Sequence, residues 1–425
     1  MTIKDVVIIG AGLAGAAAAC TCAGAGLKSI ILEARDRVGG RAYTRPFGSG
    51  GDLLEFGGSW ITPWQNRIRY YAGLTGVSWR PRHPVIEHRF HDGRTLRTGE
   101  PCAAEERAEF GRAMARLRAD VKRYQQNQAC DVAEVSLDAY LAAIDASPPA
   151  RTQIMAWWTI SGNGDPDRIS AAEFLSSCAY GGRTPEGMMG ALAHTLEPGA
   201  SILCERMIAL SDADLRPNAP VVRVRHESDR IVATTSSGTE IAARSAIVAL
   251  PLNAIGTITF TPALRGRKAE AAALGHGGRS IKIWIEARGV PVGVLATGGA
   301  GGIRWMFAER EGGNGTTLIV GFGLPDFDPA KRDDIASSLS RFFPEAEIIA
   351  WGYHDWVSDP WARGTWVALP ADALWIADSS VWKPEGRLAF ASSDYSPQSP
   401  GWFEAAIVAG ESAARATVEQ EALLS

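Results

Sequence analysis

The chain lacks several features that would place it in large functional classes. It has 6 cysteines in 425 residues, Cys20, Cys22, Cys102, Cys130, Cys178 and Cys204, scattered and without a C-x-x-C pair. Structural zinc needs clustered ligands, and a chain this long buries a large core without disulfides, so the thiols read as reduced ones in a cytoplasmic protein. No uncharged run reaches the ~20 residues that cross a bilayer. Met1-Thr2-Ile3-Lys4-Asp5 passes straight into an apolar run, without the long apolar stretch and small-residue cleavage site of a secretory signal. Neither a membrane nor an export route is expected. Positive charge is not in excess: 43 Lys+Arg against 47 Asp+Glu leave a net charge of −4, which provides no field for a polyanion such as nucleic acid. There is no internal repeat and no low-complexity segment. Apolar residues at 46% and charged residues at 21% exclude a disordered or fibrous chain.

Glycine and tryptophan are plentiful. The 46 glycines exceed the roughly 30 that ordinary usage would give. With 14 tryptophans, this suggests backbone close to a ligand and an aromatic-walled pocket. The length suggests two or three domains.

Val6-Val7-Ile8-Ile9 is a β-branched run that ends at Gly10-Ala11-Gly12-Leu13-Ala14-Gly15. An alanine-rich helix follows to about Ala25, and Ser29 to Glu33 is a second buried strand. This is a βαβ unit. Further on, Val85–Leu96 reads as a hairpin around His91-Asp92-Gly93. Ala103–Gln126 and Ser136–Ile144 read as helices, the second stopped by Pro148-Pro149. Ser170-Ala171-Ala172-Glu173 has the spacing of a capping box. Strands are expected at 221–224, 231–235, 240–250, 280–286, 317–321 and 388–391. A helix is expected at 333–343, and a last one opens at Gly401 with Glu411, Arg415, Glu419 and Glu421 on it. The helical stretch at 100–195 interrupts the α/β pattern. The expected fold class is α/β, α+β overall. A discontinuous Rossmann-like cofactor domain (1–80, 196–262, 372–425) is joined to a substrate domain (81–195, 263–371) with a mixed sheet and a helical segment.

The G-x-G-x-x-G of Gly10, Gly12 and Gly15 lies between a strand and a helix, as a dinucleotide site requires. The first glycine permits the turn, the second lets backbone approach a pyrophosphate, and the third lets helix pack on strand. Glu33 ends the second strand, where a carboxylate accepts from ribose hydroxyls. The run Arg35-Asp36-Arg37-Val38-Gly39-Gly40-Arg41 and then Glu55-Phe56-Gly57-Gly58-Ser59-Trp60 suit a long cofactor lying along backbone, which favours FAD over NAD.

These pieces, together with Phe390-Ala391-Ser392-Ser393-Asp394 and Gly401-Trp402-Phe403-Glu404, resemble the flavin-containing amine oxidase family, and its nicotine-oxidase branch most. The resemblance covers nearly the whole chain and is weakest in the helical segment. It implies FAD, oxidation of a C–N bond in a small-molecule amine, and reoxidation by molecular oxygen, in a monomer or homodimer. Some relatives attach the flavin through a cysteine before a cage aromatic. The matching pair here is Thr365-Trp366, so noncovalent FAD is expected. Gly10, Gly12, Gly15, Glu33, Arg35, Gly40, Arg41, Gly57, Gly58, Val222, Ser393, Asp394, Trp402 and Phe403 are assigned to the cofactor.

Catalysis is assigned to Lys282, Trp366 and Trp402. Lys282 lies in the apolar strand Ile281-Lys282-Ile283-Trp284, and the resemblance places it near flavin N5 with a water that assists reaction with oxygen. Trp366 and Trp402 occupy the two cage positions, and a tryptophan in place of the usual tyrosine at the second changes the cavity's shape. Trp60, Thr159, Tyr180 and Arg304 are candidate pocket residues, and Arg304 would favour a substrate with a carboxylate or carbonyl. No metal is expected, and His83, His88 and His91 read as surface residues. The substrate expected is a secondary or cyclic amine with a hydrophobic or aromatic body, giving an imine or iminium and hydrogen peroxide. An amide or amino-acid-derived compound, and a non-catalytic flavin-binding role, are the alternatives.

Overall fold

The computed structural model describes residues 3–126, 134–396 and 399–424; Cys130 lies outside the described residues. The N-terminal unit is strand β1 (Lys4–Ile9), helix α1 (Leu13–Gly24) and strand β2 (Ser29–Leu32). The strands run parallel, with Val6 opposite Ser29 and Ile9 opposite Leu32. Val6–Ile9 and Ile30–Leu32 are buried on both faces, as a covered parallel sheet demands.

Eight strands form the first sheet. Its main path runs through Asp214–Arg216, β2, β1, Glu240–Val248, Ile231–Thr235, Val221–His226 and Thr259–Thr261. Glu240–Val248 pairs with Ile231–Thr235 through its first half and with the C-terminal strand Leu388–Phe390 through its second. Both ends of the chain therefore meet in one sheet. The second sheet has seven strands, in the order Glu347–Tyr353, Ile281–Arg288, Thr317–Gly323, Ile303–Glu311, Val294–Gly298, Glu87–His91 and Leu96–Thr98. It is antiparallel except where Val294–Gly298 runs parallel to Glu87–His91, so it is mixed. The helices Arg107–Gln125, Leu137–Ala143, Pro148–Ser161 and Ala171–Gly181 pack on it through a core that includes Leu117, Tyr140, Trp158, Phe174, Trp305 and Phe307. The expected fold class is the observed one. Among the described residues no helix is long and apolar enough to cross a membrane.

Several local expectations change. Pro148 opens a helix as well as closing the region before it, because a first-turn residue needs no N–H donor. Ser170 caps its helix through Ala172 N, but the Glu173 carboxyl turns away and accepts from Leu369 N instead, so there is no capping box. The last helix begins at Phe403, two residues beyond Gly401. The strand Ile303–Glu311 carried no sequence signal because Ile303–Glu309 is buried without alternation. The described cysteines are free thiols; burial pushes Cys22 up to about 12 and Cys20 up to about 11.

The C-terminal helix Phe403–Leu424 lies against α1 so closely that a Cβ on Gly410 would fall 2.0 Å from the Ala14 carbonyl oxygen. Gly410→Ala should therefore push the two helices apart. The expected loss is about 1–3 kcal/mol of stability, by overpacking. Ala14 also lines the large cavity described below, so retention of cofactor should fall as well. Thermal denaturation with measurement of bound flavin checks this; an unchanged midpoint would contradict the close packing.

Candidate active site

A cavity of about 1980 Å³, counted with its open mouth, runs from the glycine turn after β1 to an aromatic end between the two sheets. At the first end, Gly10 has φ +105 and no room for a side chain, since a Cβ would sit 2.6 Å from Ala249 O. A Cβ on Gly15 would lie 2.0 Å from Gly10 O, which fixes α1 on the strand. Gly12 differs: a Cβ there would meet nothing closer than 3.9 Å, so its open side faces the cavity. Helix α1 has no side-chain cap at Gly12, leaving its first N–H groups for an anion. Glu33 lines the same end and accepts from Ala11 N at 2.8 Å and from Arg35 N at 2.9 Å. Arg35 pairs with Asp359 at 2.7 Å, which also holds His354 Nε2 at 2.8 Å. This open, glycine-lined cradle with an acid at the strand end fits the pyrophosphate and ribose of FAD.

The middle of the cavity is walled by backbone from Gly39–Ala42, Gly57–Gly58 and Ser392–Ser393. Arg41 joins these segments. It donates to Thr365 O at 2.5 Å, to Ser393 Oγ at 3.3 Å and to Asp394 Oδ1 at 2.6 Å. Asp394 is fully buried and stands one layer behind the wall, so it acts on the cavity through Arg41. Burial would raise its pKa, but Arg41, His276 and the Leu252 N–H together hold it below the usual carboxylate value. His276 accepts from Gly278 N through Nδ1 at 3.0 Å and directs Nε2 toward Asp394. Burial holds this imidazole down at about 4 against the Asp394 charge, so it is neutral.

At the far end stand Trp60, Phe322, Trp366, Trp402 and Phe403. The rings of Phe322 and Trp366 meet edge-on at 6.2 Å. Lys282 is buried among them, with Trp60, Trp284 and Phe322 ring centroids 5.5–5.8 Å from its Nζ. Nζ donates to Gly57 O at 2.8 Å and to Ser59 Oγ. Burial lowers this lysine to about 8, while the buried carboxylates of Glu55 and Glu309 oppose the shift. An ammonium has three N–H groups, and two are used, so one is left for a molecule in the cavity.

Most of the sequence-assigned residues come together here: Gly10, Gly12, Glu33, Arg35, Gly40, Arg41, Gly57, Gly58, Trp60, Lys282, Trp366, Ser393, Trp402 and Phe403 all line one cavity. Four do not. Val222 is 42% exposed and Val221 faces the cavity instead, because neighbouring residues of a strand point to opposite faces. Thr159 is fully buried and donates to Ala156 O, while Ile160 and Ser161 form the wall. Tyr180 is exposed, and Glu173 and Ser177 of its helix face inward. Arg304 is buried, yet it turns to Gly302 O and an ion pair with Asp326 and is not on the wall. Glu173, Ser177, Met188, Leu192 and Phe322 were missed. Only Glu173 carried a signal, and its cap-like spacing pointed elsewhere.

The folded His276 value of about 4 lies below the ordinary 6.5, so as pH falls the unfolded chain takes up the proton first. The contribution of His276 is intact above about 6.5, declines between 6.5 and 4, and levels below that. His276→Asn keeps an acceptor for Gly278 N but does not titrate. The stability difference between wild type and this variant should therefore fall with acidification over that window, by about 3 kcal/mol at most. Denaturant unfolding at pH 7 and 4.5 measures it; a pH-independent difference would contradict the neutral buried imidazole.

The profile of the family described as flavin containing amine oxidoreductase matches residues 13–418. (S)-6-Hydroxynicotine oxidase of Paenarthrobacter nicotinovorans is 29% identical over 423 residues, covering 97% of this chain and 99% of that protein. Among solved structures, wild-type putrescine oxidase bound to putrescine superposes with a TM-score of 0.85 at 23% identity, covering 98% of this chain and 99% of that one. Cyclohexylamine oxidase from Brevibacterium oxydans IH-35A does so with a TM-score of 0.83 at 21% identity, covering 99% and 100%. These two structures share the fold. The chain, with its FAD cradle opening on an aromatic chamber, belongs to the flavin-containing amine oxidoreductases.

Proposed function

We propose that this chain is an oxidase of secondary or cyclic amines with an apolar or aromatic body, forming an imine or iminium and hydrogen peroxide. One observation carries the reading: the cavity that begins at the dinucleotide cradle ends in tryptophan and phenylalanine faces with a single buried lysine among them. FAD would be held without a covalent bond by Gly12, Glu33, Arg41 and the Gly57-Gly58 step; no cysteine is on the described wall. When bound, FAD would supply the acceptor for a hydride from the carbon next to nitrogen, with oxygen as the final electron acceptor. On the same reading, residues 1–80, 196–262 and 372–425 carry the cofactor, and 81–195 and 263–371 supply the substrate end.

The chain's own contribution is positioning and desolvation. Trp366 and Trp402 present π-faces that orient the amine and keep water away. An apolar wall disfavours an ammonium and so favours the neutral amine, the form that can lose hydride. Lys282 is held by Gly57 O and Ser59 Oγ, and its third N–H is left to hold a water where oxygen is reduced. An acidic substrate loses its main motive, because Arg304 is committed to Asp326.

The test is anaerobic mixing of the yellow protein with secondary amines, primary amines, amides and amino acids. Secondary or cyclic amines should bleach the visible band, and air should restore it with one peroxide per turnover. Bleaching by amides or amino acids alone would contradict the reading. Lys282→Met should slow the return of colour by about 10²-fold or more while leaving flavin content unchanged. Equal rates of return would remove the role given to Lys282.

A further inference from the structure

The aromatic end of the cavity has a second wall, formed by the helices Pro148–Ser161, Ala171–Gly181 and Pro185–Ala191 and the residue that follows them. Ile160, Ser161, Glu173, Ser177, Met188 and Leu192 face inward from it. This wall is apolar except for one polar strip. Glu173 and Ser177 are four residues apart on one helix and share a face. Ser177 Oγ donates to Ser161 O at 3.1 Å, which leaves its lone pairs available.

Glu173 is the unusual member. Of the cavity's described lining residues only Glu33 and Glu173 carry carboxyl groups, and Glu33 belongs to the cradle at the other end. Glu173 is 8% exposed. Among the described residues its carboxyl has one hydrogen-bond partner, Leu369 N at 3.1 Å, and it takes part in no ion pair. Burial pushes it up to about 8, with only that N–H opposing the shift. In this state the acid is uncharged near neutral pH; a cation beside it in the cavity would restore the carboxylate and supply the counter-charge that the protein does not. Anchoring one backbone N–H would not require an ionisable group, so the tie to Leu369 does not account for the choice of side chain.

We propose that Glu173 is a specificity anchor that receives a second, protonated nitrogen of the substrate, remote from the C–N bond that is oxidised. This rests on the amine-oxidase reading above and deepens it. The nitrogen that loses hydride must be neutral, so the counter-ion of Glu173 is a different nitrogen. An ammonium donates a charge-assisted hydrogen bond to the carboxylate, and the Ser177 hydroxyl adds a neutral acceptor beside it. The preferred substrate class is then an amine with an apolar spacer and a distal ammonium. The apolar wall of Ile160, Met188 and Leu192 accommodates the spacer.

The experiment compares N-methylpentylamine with N-methyl-1,4-diaminobutane, which replaces the terminal methyl by an ammonium at the same chain length. Diamine homologues one methylene shorter and longer are included. The wild-type holoenzyme should favour its best diamine by about 10- to 100-fold in kcat/KM, the range for a hydrogen bond to a charged group. Glu173→Gln keeps an acceptor for Leu369 N. It should bring the ratio close to unity through the KM of the diamine, with flavin content retained. Ser177→Ala should lower the ratio by a few fold and serves as the second variant if Glu173→Gln does not fold. No preference in the wild type, or the same preference in the variants, overturns the anchor. If neither amine is turned over, the oxidase reading fails. The anchor is then judged by dissociation constants from the absorbance change of the oxidised flavin, where equal binding of the two amines overturns it.

Discussion

The guanidinium of Arg41 is the point on which the architecture depends. It reaches Thr365, Ser393 and Asp394, residues more than 300 positions away in sequence. The second oxygen of Asp394 accepts from Leu252 N at 2.9 Å and faces His276. The glycine turn region, the end of the central strand Glu240–Val248, the loop before Trp366 and the C-terminal crossover are thereby fixed to one another. Because Asp394 is wholly buried, the ion pair has no alternative partner in water; its charge is stabilised by Arg41 and by backbone or not at all. A neutral His276 beside it completes the arrangement without adding a second buried charge. The cavity follows from this node: Arg41 and Ser393 are on its wall, and Asp394 is directly behind.

The two ends of the cavity differ in physics. The cradle end is built of backbone donors, close-packed glycines and carboxylates, and it suits an extended, charged group. The far end is built of large rings around one lysine, and there desolvation is the main force. Lys282 is kept from full neutralisation by Glu55, whose own carboxyl is pushed up to about 7 by burial against the opposing pull of Ala200 N, Lys282 and Thr44. Burial opposes the charge on both groups, and each favours the charged form of the other. Glu173 adds a further ionisable group on the helical wall of the same cavity.

What could be read from the sequence was local and steric. Gly10, Gly12 and Gly15 each meet the geometry that their spacing implies, and Glu33 stands where the second strand ends. Lys282, Trp366 and Trp402 were singled out because runs around them resemble a family, and the three line one cavity. The misses share a cause. Val221 against Val222, Ser161 against Thr159 and Ser177 against Tyr180 are errors of which face a residue presents, and that is decided by tertiary packing. Arg304 is turned from the cavity by Asp326, which lies just beyond the strand Thr317–Gly323 and to which no motif pointed. Glu173 was hidden by a cap-like spacing, while its actual partner, Leu369, is 196 residues away.

On the proposed reading, the amine meets the cofactor between Trp366 and Trp402, beside Lys282. The most direct measurement is a crystal structure of the FAD-loaded protein with a slowly reacting secondary amine, frozen without oxygen. The amine nitrogen is expected between the two indole faces, with its body toward Met188 and Leu192. An amine bound outside this chamber, or a flavin ring that does not reach Lys282, would contradict it.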